Sequence, residues 1–298
     1  MIKIRVPASS ANMGAGFDTL GVALGLYNRI EIEEIPEGLE VINKNAHGFI
    51  PKDKNNLIYR SMLYLFEHVG YKAKGYRIGQ NSSIPMTRGL GSSSACIVGG
   101  MLAANIISDR QLSYEEIIHL AAKMEGHPDN VGPAMYGGFC VSLTDEDKTI
   151  IKSTKLKNNI RFAALIPDYF MATRKSRGVL PPKVDFQDAV YNISHASMFQ
   201  AAMLTGDMKA LRIGAKDMLH QQYREVYVEG MEDIFEKTYS LGSHATYLSG
   251  SGPTIMSVLS GEYSAFRNSM QKYFIENSLK WRCMILPVDN VGAVVSVI

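Results

Sequence analysis

Long apolar runs are missing from this 298-residue chain. The longest nearly apolar stretch, Ser94 to Ile107, falls short of the roughly 18 residues that a membrane-spanning helix needs. The N-terminus, MIKIRVPASSAN, lacks the uninterrupted apolar segment of a signal peptide, so a soluble cytoplasmic protein without a membrane partner is expected. Cysteine is scarce: Cys96, Cys140 and Cys283 lie far apart with no CxxC pair, which argues against a disulfide framework or a zinc site. The seven histidines show no HExxH spacing. Neither sign of charge is in excess, with 31 Lys plus Arg against 29 Asp plus Glu and a net charge of +2. A nucleic-acid binder carries a basic stripe, and none is present here. What remains is an ordinary globular composition, 46% hydrophobic and 20% charged, long enough for about two domains.

The pattern along the chain mixes strands and helices in both halves. Ile2, Ile4 and Val6 alternate as a strand that should stop at Pro7, and a second extended stretch runs through Ile30, Ile32 and Ile35. Asn56 to His68 reads as an amphipathic helix, Tyr76 to Ser82 as a strand, and Ser92 to Ile107 as a buried helix. Ser113-Tyr-Glu-Glu116 matches a capping box, so a helix should start there and end at Gly126. Phe139 to Leu143 reads as a strand and Thr144 to Asp147 as an exposed turn. The lysine-rich stretch Lys152 to Asn159 reads as a solvated segment and marks the boundary between a domain of residues 1–155 and one of residues 156–298. Beyond it come a strand at Phe162 to Ile166, helices near Val190 to Leu204, Asp207 to Leu219 and Glu229 to Leu241, and strands at Ala245 to Leu248, Ile255 to Leu259, Arg282 to Leu286 and Ala293 to Val297. The expected class is α+β in two domains.

Three glycine-punctuated segments carry the chemistry. Pro85-Met-Thr-Arg-Gly-Leu-Gly-Ser-Ser-Ser-Ala95 is a glycine turn running straight into a helix, where free N–H groups and the helix dipole form a phosphate cradle. It is not a Walker A loop, because no lysine sits inside it, nor GxGxxG, because Ser94 stands where the third glycine would be. Without that lysine, polyphosphate charge calls for a magnesium ligand elsewhere, and Glu125, before Gly126-His-Pro-Asp-Asn130, is a candidate. The first segment, Pro7 to Asp18, offers Asn12 and Asp18 among small residues; the third, Leu248 to Thr254, is a glycine turn between strands. Each segment alone fits a structural turn as readily as a site.

Together, in this order and spacing, they resemble the GHMP small-molecule kinases, and the resemblance spans Pro7 to Thr254. PASSANMGAGFDTLG is most similar to the members that phosphorylate homoserine, as are Thr173 to Pro181 and His220-Gln-Gln-Tyr-Arg224, though Gln221 and Gln222 stand where Glu and Pro are common. The resemblance implies an N-terminal nucleotide-binding domain like domain 2 of ribosomal protein S5, and a C-terminal ferredoxin-like α/β sandwich. It implies ATP and Mg²⁺, with transfer of a phosphoryl group to the side-chain hydroxyl of L-homoserine on the way to threonine. ATP would lie against Pro85, Met86, Thr87, Arg88, Gly89, Leu90, Gly91, Ser92, Ser93, Ser94 and Ala95, with Asn56 by the adenine ring. Glu125 and one serine of Ser92 to Ser94, taken as Ser93, would hold the metal. Homoserine would meet Asn12, Asp18, His127, Asn130, Thr173, Arg177, Arg224 and Gly250, the arginines taking its carboxylate. Asn130 and Arg177 are the catalytic candidates. Asn130 stands where other members place a catalytic aspartate, so catalysis without a dedicated base is expected, Asp129 being adjacent but on a turn whose neighbours point apart. An edge strand or apolar helix face in the second domain could support a homodimer.

Overall fold

The computed structural model describes residues 1–44, 50–109, 112–261 and 263–298, without the side chains of Thr173 and Arg174. Its first sheet grows from the alternating apolar residues of β1 (Ile2–Ala11), which pairs antiparallel with the long β2 (Leu20–Ile35). Contrary to the expected stop, β1 runs through Pro7. The ladder slips between Pro7 and Ala8, and the other neighbour of β1 reaches only Arg5, so the missing proline N–H breaks no second ladder. β3 (Leu39–Asn43) and β4 (Gly75–Ser82) extend the sheet on one side. β5 (Phe139–Asp145) branches from the start of β2 and carries β6 (Lys148–Thr154) at its outer edge. β6 occupies part of the stretch expected to be solvated.

Against this sheet pack α1 (Leu57–Val69), α2 (Ser92–Ile107), α3 (Tyr114–Glu125) and the short α4 (Val131–Tyr136). α2 is apolar all round because it is central: every residue from Ser94 to Ala104 is buried, between α1, α3 and β1. The capping box at Ser113 forms as its sequence requires, with Ser113 Oγ accepting from the Glu116 N–H and Glu116 Oε2 from the Ser113 N–H.

The second sheet holds β7 (Ile160–Pro167), β8 (Ala245–Leu248), β9 (Ile255–Ser260) and β10 (Trp281–Pro287), all antiparallel in the order β10-β7-β9-β8. The chain order is strand, helices, strand, strand, helix, strand, which is the ferredoxin-like split βαβ arrangement. β7 is buried on both faces, so its sequence is apolar without alternation. Phe162, Ala164 and Ile166 join the main core with Phe199 and Met203 of α6 (Phe186–Thr205) and Leu211 of α7 (Met208–Gly214). Ala163 and Leu165 face Ile234 of α9 (Met231–Ser240) and Phe266, Met270 and Phe274 of α10 (Tyr263–Glu276). Two short helices, α5 (Thr173–Arg177) and α8 (Gln221–Arg224), lie toward the other domain. The last strand, β11 (Val294–Val297), returns to pair with β1, so the chain's end belongs to the first sheet. Among the described residues, no helix is long and apolar enough to cross a membrane.

Candidate active site

The three glycine segments are stitched together by hydrogen bonds between residues as much as 239 apart in sequence. Ser10 Oγ meets Ser249 Oγ at 2.7 Å, the Gly250 N–H donates to Ala11 O at 3.0 Å, and Asn12 Nδ2 donates to Gly250 O at 2.9 Å. The Ser9 N–H donates to Leu90 O, and Ser249 Oγ donates to Gly89 O at 2.6 Å. From the second domain, the Met171 N–H reaches Thr87 O, while Arg88 donates to the carbonyls of Pro167 and Asp168. Gly89 and Gly91 are left-handed, and at both a Cβ would collide, with Ser249 O and with Ser9 Oγ respectively. Of the seven described non-glycine residues with positive φ, Asn12, Met13, Asp18 and Thr87 belong to these segments. Such strain gathers where surrounding structure holds a site in shape.

Gly91 is the N-cap of α2 and offers no side-chain cap. The first backbone N–H bonded inside the helix is that of Ala95, to Gly91 O at 3.0 Å. The amides of Ser92, Ser93 and Ser94 therefore keep the free N-terminal donors and partial positive charge that suit a phosphate. Ser93 is exposed at the cleft, whereas Ser94 and Ala95 are fully buried.

Glu125 ends α3, where the helix dipole disfavours a carboxylate, yet it lies beside the start of α2. Its Oε1 accepts hydrogen bonds from Ser93 Oγ at 2.5 Å and Ser94 Oγ at 3.0 Å. Oxygen donors from Glu125 and Ser93 at the mouth of the cradle fit a hard divalent cation.

Across the cleft lie opposed charges. Arg177 Nη1 and Nη2 donate to Asp18 Oδ2 and Oδ1 at 3.1 and 2.6 Å, a bidentate pair partly open to solvent. Burial works against the Arg177 charge, but the bond and field of Asp18 outweigh it and raise the pKa above its usual value. Arg224 is almost wholly buried, 1% exposed, and burial followed by the like charge of Arg177 pushes its pKa down to about 10. It remains a cation at neutral pH. His127 Nδ1 and Asp129 Oδ1 are 2.6 Å apart. Burial pushes the His127 pKa down, but the hydrogen bond and charge of Asp129, with Glu125 behind, carry it above the ordinary imidazole value. Ligating atoms of Asp18, His127 and Asp129 all lie within 4.8 Å of one another. Asn130 Oδ1 accepts from Ser9 Oγ at 2.8 Å, and its Nδ2 lies 3.5 Å from Asp129 Oδ1.

One cleft of about 280 Å³ gathers these residues. Asn12, Asp18, Asn56, Met86 to Ser93, Glu125, His127, Asn130, Arg177, Arg224 and Gly250 all line it. Pro85 lines the adjoining groove instead, and Ser94 and Ala95 stand behind the cradle in the core. Asn56 faces the cleft as the N-cap of α1: its Oδ1 accepts from the Ile58 and Tyr59 amides and its Nδ2 donates to Pro51 O. The side chain of Thr173 lies outside the described residues. Asp129 does not point away from Asn130 as turn neighbours were expected to; both line the cleft. Sequence reasoning did not select Ile50, Pro51, Leu57, Gln80, Cys96 or Met171, which complete the wall with Ser251 of the third glycine segment. The first six carry no local motif, and only the packing of distant elements brings them there.

Comparison with known proteins follows the same lines. Residues 56–138 match the family described as GHMP kinases N terminal domain, and residues 199–276 match GHMP kinases C terminal. The homoserine kinase of Clostridium beijerinckii is 44% identical over 296 residues, covering 99% of this chain and 98% of that one. The homoserine kinase of Caldicellulosiruptor saccharolyticus is also 44% identical, over 99% of this chain and 96% of its own. The crystal structure of homoserine kinase from Cytophaga hutchinsonii superposes with a TM-score of 0.85 at 26% identity, covering 99% and 97% of the two chains. A nucleotide-type helix terminus facing a zwitterion-sized set of charges, in a fold and sequence shared end to end with these proteins, places the chain in the homoserine kinase family of the GHMP kinases.

Proposed function

We propose that the cleft transfers the γ-phosphoryl group of ATP to the side-chain hydroxyl of L-homoserine, giving O-phospho-L-homoserine and ADP, a step toward threonine. The observation that carries this reading is the paired charge of the cleft: two guanidiniums, Arg177 and Arg224, beside the carboxylates of Asp18 and Asp129. An amino acid is a zwitterion, so its carboxylate has cations to meet and its ammonium has anions. Binding exchanges the Arg177–Asp18 pair for two pairs with the substrate. The first domain supplies the cradle, and the second supplies both arginines.

The β- and γ-phosphates belong at the free amides of Ser92 to Ser94. Glu125 and Ser93 would hold Mg²⁺, which when bound neutralises charge on the phosphate oxygens. The substrate oxygen forms a bond to the γ-phosphorus as the bond to the bridging oxygen of ADP breaks. In a loose transition state, positioning and charge stabilisation supply most of the catalysis. Asn130, held by Ser9, orients the hydroxyl, and its amide takes no proton at neutral pH. Asp129 is buried, and its Oδ1 is already engaged by His127 Nδ1 at 2.6 Å. The proton leaves to phosphate or water. Release of ADP from ATP with Mg²⁺ is the direct test: L-homoserine should stimulate it strongly, and equal or greater stimulation by other small alcohols would overturn the substrate assignment.

A further inference from the structure

His220 lies outside the cleft lining and is fully buried, yet it touches two segments that the proposed reaction uses. Its Nε2 is 2.9 Å from Gly14 O in the first glycine segment, and its Nδ1 is 3.1 Å from Nη1 of Arg224. A carbonyl can only accept and a guanidinium can only donate. These two neighbours therefore select one form of the ring: neutral, with the proton on Nε2 and a bare lone pair on Nδ1. The same surroundings keep the ring neutral, since burial lowers its pKa most, Arg224 lowers it further, and Asp217 and Asp18 act the other way. The Asp217 carboxylate, 3.6 Å from Nε2, is already engaged by the backbone amides of Leu219, His220 and Gln221.

The other contacts of Arg224 show what this bond does. Its Nε donates to Ser176 O and its Nη1 also donates to Gly250 O, while Nη2 makes no hydrogen bond among the described residues. Two carbonyls and one imidazole therefore fix the plane of the guanidinium and leave one edge for a ligand in the cleft. Phe17 completes the clamp, stacked on His220 at 5.2 Å, with Arg224 and Arg177 over its ring at 5.3 and 5.6 Å.

We propose that His220 is a positioning residue for substrate binding: as the Nε2–H tautomer anchored on Gly14, it offers Nδ1 as the acceptor that aims Arg224 at the substrate carboxylate. This rests on the homoserine reading above. It also explains why a histidine, with two opposite functions on one rigid ring, sits four residues before the arginine on α8.

Two substitutions separate the two nitrogens. Asn places an amide oxygen near the Nδ1 position and keeps an acceptor for Arg224, whereas Gln places its amide near Nε2 and removes that acceptor. His220→Gln should raise the KM for homoserine about tenfold, the loss of one charge-assisted hydrogen bond, with kcat and the KM for ATP little changed. His220→Asn should recover most of that loss. In a double-mutant cycle, His220→Gln should cause no further loss of kcat/KM once Arg224 is Ala, because its effect runs through Arg224. Additive losses, or an equal rise of both substrates' KM in both variants, would overturn the positioning role alone. If the unaltered protein shows no homoserine-dependent ADP release, the substrate reading falls and this proposal with it. Should the variants fail to fold, nitrogen NMR of the unaltered protein decides: a bare Nδ1 and a protonated Nε2 at neutral pH support the role, and a proton on Nδ1 refutes it.

Discussion

Replacing Gly91 by Ala tests the link between the phosphate cradle and the acceptor site. Gly91 sits at φ 66°, where an L-residue costs about 1–2 kcal/mol. The new methyl group would also collide with Ser9 Oγ and crowd Asn130 Oδ1. Ser9 is fully buried, so it escapes only by giving up its hydrogen bond to Asn130, a loss of about 1–3 kcal/mol. The two effects together come to roughly 2–5 kcal/mol, and for a chain of this size each kcal/mol lowers the melting temperature by about 2–4 °C. Chemical denaturation and a thermal scan measure that loss, and steady-state kinetics should show kcat falling more than the KM for ATP rises, because Asn130 loses its guide. The Gly91→Ala/Ser9→Ala double variant removes the hydroxyl in the way, so it should regain part of the stability while its kcat stays low. A single variant as stable and as active as the parent would refute the reasoning.

Arg177→Ala should raise the KM for homoserine by roughly 10- to 150-fold, the range for one lost charge-assisted hydrogen bond or pair, and leave the KM for ATP nearly unchanged. Glu125→Gln keeps an oxygen but loses the charge; a magnesium titration should show half-maximal rate at a higher metal concentration. Asp129→Asn should retain much of its turnover, and a loss near four orders of magnitude, the upper range for removing a general base, would refute base-free catalysis. His220 binds a proton less readily in the folded chain than in the unfolded one. Its contribution to stability is therefore complete above about pH 6.5 and is lost as the pH falls toward the lowered folded value. Denaturation curves for His220→Asn should accordingly be flatter than the parent's across that acid range.

Local chemistry made some of this fold legible. The Ser113 box and Gly126 bracket α3 because both ends satisfy their own backbone groups, and the unbroken small-apolar run of α2 announces a buried helix. Elements shaped by distant partners were not legible. β1 passes through Pro7 because its neighbours there impose no demand for the missing N–H. β6 hides in a lysine- and serine-rich stretch because it is an outer strand on β5, where polar side chains are tolerated. α4 contains Gly132 and Pro133, and α10 buries only Phe266, Met270 and Phe274 among polar residues, so neither shows a strong apolar stripe. β3, a short strand parallel to β4, likewise gives no signal of its own. In the cleft, glycine spacing exposed the cradle. The Asp18–Arg177 pair, 159 residues apart, and the burial of Arg224 exist only once both domains are assembled.

The burial of α2 has a bearing on where this protein tolerates change. From Ser94 to Ala104 the helix is buried in protein, and only its N-terminal end, Ser92 and Ser93 with the edge of Cys96, meets the cleft. An electrostatic end so insulated acts through a medium less polarisable than water, which strengthens its pull on an anion. The same sheath removes slack. A void opened at Met101 or Val98, a full turn or more from the ligand, would let the rod settle and carry its charged tip with it. Drift in catalytic rate among natural or laboratory variants should therefore trace back to interior methyl groups as often as to the residues that face the substrates.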